Sequence, residues 1–203
     1  MAHKIAIIVG SLREGSINRK VARSICALRG DNLDCSMVEI GDLPLYNQDL
    51  DANPPEQWVR FREQVAAADG VLFCSPEYNR GVPGVLKNAI DVGSRPYGQS
   101  VFDKKPAAIV TASPGSIGGF GANHQIRQAA VFLNMPVMQQ PECYLGHVSD
   151  DSFDDSGCLK EGPLKDLIAV LAHAFADWVE MIHRSRQLLA EDSAHAAQRK
   201  EHA

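Results

Sequence analysis

Three short stretches gather residue types that do chemistry together. The first, Gly10-Ser-Leu-Arg-Glu-Gly-Ser-Ile-Asn-Arg19, brings two hydroxyls (Ser11, Ser16), an amide side chain (Asn18) and a cation (Arg13) to the junction of a strand-like and a helix-like segment. Such donors, beside the free backbone amides of a helix start, form a compact anion cradle of the kind a phosphate monoester needs. The loop departs from both familiar nucleotide loops. Ser16 stands after Gly15 where a Walker A loop carries Lys, and Leu12 stands where the dinucleotide fingerprint requires Gly. Glu39, near the end of the second strand, sits where a ribose-binding acid would be, which keeps a dinucleotide reading in view. Helix capping and turn closure would use the same hydroxyls.

The second stretch, Ser75-Pro-Glu-Tyr-Asn-Arg-Gly-Val-Pro83, follows an apolar run. Pro76 and Gly81 let its backbone lie against a flat ligand, and Tyr78 and Asn79 add an aromatic surface and an amide, so a planar heterocycle would fit there. An ordinary tight turn is the alternative. Read from Cys74, the same stretch is a C-x5-R spacing, as cysteine-dependent phosphatases use, with Arg80 as the phosphoryl clamp. Glu77 would then place a carboxylate inside the anion cradle, and Gly81 stands where a hydroxyl usually supports the leaving thiolate; a buried core thiol is the plainer reading of Cys74. The third stretch, Ala112-Ser-Pro-Gly-Ser-Ile-Gly-Gly-Phe-Gly-Ala122, is glycine-rich, and its amides would reach the edge of a ring or an anionic, reduced ring. Close helix packing would also use those glycines.

What must position these loops is an alternation of strands and helices. Ile5–Val9, Leu33–Ile40, Gly70–Cys74, Ala107–Ala112 and Val137–Tyr144 read as strands. Helical spacing runs over 18–28, 54–68, a segment opening near Pro83, a segment carrying Ile126 to Leu133, and a long stripe from Leu164 to Ile182. Strands that are apolar throughout are covered on both faces. The expected fold is therefore an α/β three-layer sandwich around a five-stranded parallel sheet of order 2-1-3-4-5, one domain over 1–189 with a polar, frayed tail over 190–203. In such a sheet ligands bind beyond the carboxyl ends of the strands, where the loops after strands one, three and four meet.

Composition bounds the rest. In 203 residues, 45% are hydrophobic and 22% charged, the balance of a globular chain with a sizeable core. No apolar run approaches the roughly 18 residues of a membrane span, and no signal segment precedes the first strand, so a cytoplasmic protein is expected. The net charge of -5 speaks against a nucleic-acid binder with a basic face. Five scattered cysteines without a C-x-x-C pair are expected to be reduced thiols, binding no zinc. The acidic run Asp150–Asp155 lacks the alternating ligands of a calcium loop and reads as a solvated loop.

Over about residues 4–185 the sequence resembles the NADPH-dependent FMN reductase family, in its branch of chromate and quinone reductases. The resemblance rests on Gly10-Ser-Leu-Arg13 with Ser16 and Asn18, on Pro76-Glu-Tyr-Asn79 with Val82-Pro83 and Leu86-Lys-Asn-Ala-Ile-Asp91, and on Ser113-Pro-Gly115 with Gly118-Gly119. It implies a flavodoxin-like fold, dimers or tetramers, and FMN reduced by NADPH or NADH and reoxidised by a small acceptor such as a quinone, chromate, an azo compound or free flavin. It further implies that Ser11, Arg13, Ser16, Ile17 and Asn18 hold the FMN phosphate. Glu77, Tyr78, Asn79 and Arg80 would line the ribityl chain and ring, and Ser113 and Gly115 its far edge. Arg80 stands where an aromatic or small residue is frequent, Arg95 and Tyr97 would face a neighbouring subunit, and Arg127 and Glu142 would pair across an interface; solvated surface roles are the alternative for these last four. No catalytic side chain is assigned, because the cofactor carries the chemistry. A flavodoxin-type electron carrier shares the fold, but carriers present a strongly acidic face and a ring enclosed by aromatics, and these loops hold one tyrosine.

Overall fold

The structure, a computed structural model, describes residues 2–29 and 31–201, with side chains as far as Ser193. Its five strands are β1 (His3–Val9), β2 (Leu33–Met37), β3 (Gly70–Ser75), β4 (Ala107–Ala112) and β5 (Cys143–Leu145). They form one parallel sheet of order β2-β1-β3-β4-β5. The helices are α1 (Ile17–Ala27), α2 (Glu56–Ala66), α3 (Gly84–Gly93), α4 (Phe120–Phe132) and α5 (Pro163–Glu201). This is the three-layer, flavodoxin-like α/β sandwich that the alternation predicts.

Successive strand residues point to opposite faces, and both faces are covered. Ile5, Ile7 and Val9 enter a core with Val21 and Ile25 of α1 and Phe175 and Val179 of α5. Ala6 and Ile8 enter the other, with Trp58 and Phe61 of α2, Leu86 of α3, Phe102, and Ile126 of α4. Every residue of β3 and β4 is buried, as continuous apolar runs require of central strands.

Two strands are shorter than their apolar runs. β2 stops at Met37 because the Glu39 carboxylate accepts the amides of Ile40 (3.1 Å) and Gly41 (2.7 Å), turning the chain before the predicted end at Ile40. β5 spans three residues where eight were predicted from Val137 to Tyr144. Val137 makes a single bridge to Ala107, and Pro141, with no amide proton, breaks the ladder before Cys143.

Two further expectations need correction, for the tail and for two cysteines. The backbone from 190 onward is helix to Glu201 rather than a frayed tail, consistent with the Ala, Glu, Gln, Arg and Lys in that stretch, all good helix formers; residues 202 and 203 lie outside the described residues. The acidic run is a solvated loop, its four aspartates exposed: Asp150 opens a 3-10 turn and pairs with Lys20 of α1 at 2.8 Å, while Asp154 accepts the amides of Ser156 and Cys158. Cys26 and Cys35 are not reduced thiols but a disulfide, with Cα atoms 6.2 Å apart. The chain reverses between the last turn of α1 and β2, which sets side by side two cysteines nine residues apart.

The pairing gives a direct test. Thiol titration of the protein unfolded without reductant should find three thiols, Cys74, Cys143 and Cys158, rather than five. Closing a loop of this length restricts the unfolded chain by about 2–3 kcal/mol, so reduction should lower the urea midpoint accordingly; five thiols and an unmoved midpoint would show the bond absent.

Candidate functional site

Register decides where the loops leave the sheet. Val9 pairs with Cys74 and Ser75 with Thr111, so β1, β3 and β4 end at one level, and the Gly10 amide donates to the Cys74 carbonyl at 2.8 Å. The approach is tight at Gly10, where a Cβ would lie 2.5 Å from Ser75 Oγ. Only glycine fits that crossing.

The first loop ends on the N-cap Ser16, whose Oγ accepts the Arg19 amide at 3.3 Å, and the first-turn amides of Ile17 and Asn18 have no partner among the described residues. Ser11 is 5% exposed and its hydroxyl is likewise free of protein partners among those residues, while Arg13 is solvent-exposed. The side chain of Asn18 has a partner within the chain. Its side chain is buried and makes a two-point clamp on Ala112, accepting the amide at 3.1 Å and donating to the carbonyl at 3.0 Å. The clamp supplies Ala112 with the two hydrogen bonds of a strand neighbour and fixes the first loop to the root of the third.

The second loop is a tight turn. Tyr78 and Gly81 exchange both backbone hydrogen bonds at 3.0 Å, and the central Asn79 and Arg80 have φ of 51° and 65°. Asn tolerates that left-handed conformation and Arg rarely adopts it, so the turn projects Arg80 outward at a conformational cost. Glu77, predicted to line a ligand, is largely spent on structure: one oxygen accepts the Ala122 amide at 3.0 Å, at the start of α4, and the other meets Arg80 at 3.3 Å. Gln125 of α4 accepts the Val82 amide at 2.6 Å and completes the link between the second and third loops.

In the third loop Ser113 Oγ donates to the Gly115 carbonyl, and the amides of Gly115, Ser116 and Ile117 are unpartnered among the described residues. Gly118 and Gly119 have φ of 65° and 79°, and a Cβ on Gly118 would stand 2.4 Å from the carbonyl carbon of Tyr144. These two glycines serve close packing, while the exposed amides lie just before them.

Sequence reasoning missed the polar network beneath this loop. Asn123 is fully buried, donates towards the carbonyls of Ile109 (3.3 Å) and Cys143 (3.4 Å), and accepts from Arg127 Nε at 2.9 Å. Arg127 also donates to the Met138 carbonyl at 3.2 Å. The pair replaces ladder bonds lost where β5 is interrupted and commits Arg127 Nε and Nη1 to contacts within its own chain. A buried polar side chain on the apolar face of a helix was the available signal; Asn88 of α3, holding Leu43, Pro44 and Tyr46, is a second case. Arg95 is half-buried and Tyr97 exposed, and neither joins the loops in a described contact.

One rival reading fails on geometry. Cys74 lies wholly inside the core, and burial, with Cys143 beside it, pushes its thiol far above the ordinary range, so neither a thiolate nor access to phosphate exists there. Glu39 turns one carboxylate oxygen, Oε1, onto the amides of Ile40 and Gly41 in its own turn.

Residues 3–150 match the family model of NADPH-dependent FMN reductases. The chain belongs to the NADPH-dependent FMN reductase family. It is 55% identical over 180 residues to a quinone reductase of Pseudomonas putida, covering 88% of this chain and 96% of that one. It is 42% identical to a 2-hydroxy-1,4-benzoquinone reductase of a Burkholderia species, covering 88% and 97%. Among solved structures, the flavoenzyme NAD(P)H:(acceptor) oxidoreductase FerB of Paracoccus denitrificans superposes with a TM-score of 0.84 at 36% identity, covering 89% of this chain and 98% of that one. Membership in this FMN reductase family makes the chain an enzyme and replaces the electron-carrier reading. No helix among the described residues is long and apolar enough to cross a membrane.

The clamp of Asn18 is testable apart from any ligand. Asn18→Ala leaves the buried Ala112 amide and carbonyl unpaired and should cost about 2–3 kcal/mol in urea unfolding; a loss under about 0.5 kcal/mol would show that water replaces the clamp. In the folded protein, thiol reagents should modify Cys158 and spare Cys74, and rapid labelling of Cys74 would contradict its burial.

Proposed function

We propose that this FMN reductase holds FMN across the three loops and passes electrons from NADPH or NADH to quinones or similar small acceptors. The observation that carries the reading is the set of unpaid donors at one sheet edge: the amides of Ile17 and Asn18, the hydroxyls of Ser11 and Ser16, the exposed Arg13, and the amides of Gly115–Ile117. A buried helix start with orphan amides and free hydroxyls fits a phosphate monoester. Asn18 contributes its backbone, since its side chain is committed to Ala112.

In this reading Tyr78, Asn79 and Arg80 flank the ring on the turn after β3, and Ser113 and Gly115 hold its far edge, where amide donors stabilise added negative charge. Glu77 orients the turn. Bound there, FMN supplies the hydride acceptor and electron donor of the cycle, which is why no activated side-chain nucleophile is needed. The kinship with quinone reductases supports quinones as acceptors. Use of NAD(P)H supports a cytoplasmic site of action, and the exposed Val131 and Phe132 of α4 support assembly into a homodimer or homotetramer.

Arg13→Ala should weaken FMN binding to the apoprotein about tenfold, as loss of one exposed charge-assisted phosphate contact does, read by quenching of flavin fluorescence. Unchanged affinity would remove Arg13 from the cradle. The FMN-loaded protein should bleach with NADPH under anaerobic conditions and recover its visible spectrum when a quinone is added. A bleached spectrum that persists after quinone would refute quinones as acceptors.

A further inference from the structure

One feature at this edge has no part in the phosphate cradle or the turn. Phe120, His124 and Tyr144 form a ring cluster: Phe120 and His124 have centroids 4.2 Å apart, Phe120 and Tyr144 5.1 Å, and His124 and Tyr144 5.8 Å with planes 24° from parallel. The Tyr144 hydroxyl lies 3.1 Å from His124 Nε2. The cluster adjoins the third loop, for Phe120 follows Gly119 in sequence and the backbone of Tyr144 packs on Gly118. Phe120 is 49% exposed, with Ile117 (51%) on the same loop and Tyr78 (52%) on the neighbouring turn, so large apolar surface is left in water around the loops.

We infer that Phe120, His124 and Tyr144 form a docking shelf for a planar, carbonyl-bearing aromatic acceptor of the quinone class. Stacking on Phe120 removes apolar surface from water on both partners. The His124–Tyr144 bond leaves a donor free in either direction. If the tyrosine O–H donates to Nε2, the histidine keeps Nδ1–H; if Nε2–H donates to the tyrosine oxygen, the O–H turns to the Glu142 carboxylate or to the carbonyl of a docked ring. Burial, and then the Glu142 carboxylate, raise the Tyr144 hydroxyl above its ordinary value, so it stays protonated at neutral pH. The inference rests on the quinone reading of the same edge, but binding is measured separately from turnover.

Calorimetric titration of the oxidised, FMN-loaded protein with menadione, without NAD(P)H, reads docking alone. Phe120→Ala should raise the dissociation constant about tenfold, the factor set by one aromatic contact of roughly 1.4 kcal/mol. Tyr144→Phe, which keeps the ring and its packing, should raise it about threefold through the lost hydrogen bond, and carries the test if Phe120→Ala does not fold. Menadione affinity within twofold of the parent in the variants that fold, or no binding by the parent, overturns the shelf. Loss of FMN from the variants would also overturn it, by assigning the rings to flavin retention. Menadione binding without any NAD(P)H oxidation would leave the shelf standing and fail the reductase reading instead.

Discussion

A parallel sheet covered on both faces leaves only its two ends to water, and right-handed crossovers bring every strand's carboxyl end to the same one. Here β3 and β4 are buried along their whole length, so the centre of the sheet meets solvent only through the loops at its ends. The level exit of β1, β3 and β4, set by the pairs Val9–Cys74 and Ser75–Thr111, is what turns three separate loops into one site. The same burial disarms Cys74, one residue before the second loop begins: Cys74 and Ser75 point to opposite faces of the sheet and both are fully buried.

Polar side chains then hold the loops to one another. Asn18 joins the first loop to the end of β4, Glu77 joins the second to the start of α4, and Asn123 with Arg127 supports the third from below. Each replaces backbone hydrogen bonds that an irregular segment cannot make for itself, and buried backbone groups left unpaired would cost about 1–3 kcal/mol each. The site is therefore built on fixed joints, with mobility left to exposed side chains such as Arg13, Tyr78 and Arg80.

The layers were legible because Gly70–Cys74 and Ala107–Ala112 are apolar without alternation, as strands covered on both faces are, and the order 2-1-3-4-5 is the flavodoxin-like arrangement of five such strands. The three loops were legible from their hydroxyls, glycines and prolines. What the sequence hid were partnerships between distant segments. The Asn18 side chain gives no sign in the sequence of its clamp on Ala112, 94 positions away, and Glu77 gives no sign of the Ala122 amide that meets one of its oxygens. The Cys26–Cys35 bond was hidden because spacing alone does not say that α1 returns its last turn to β2. Strand ends failed where a side chain or a proline competed with the ladder, at Glu39 and Pro141.

These partnerships also determine what kind of chemistry the edge can host. With Asn18, Glu77 and Gln125 occupied, the free groups at the loops are hydroxyls, backbone amides, one turn of exposed polar and aromatic side chains, and the cation Arg13. No histidine among the described residues hydrogen-bonds a serine or cysteine, so the hydroxyls of Ser11 and Ser16 have no base to activate them. Such a set is suited to binding an anion and a flat ring and to stabilising charge that arrives on it. The reactive atoms must come with the ligand, and selection between acceptors falls to the side chains that the joints leave exposed.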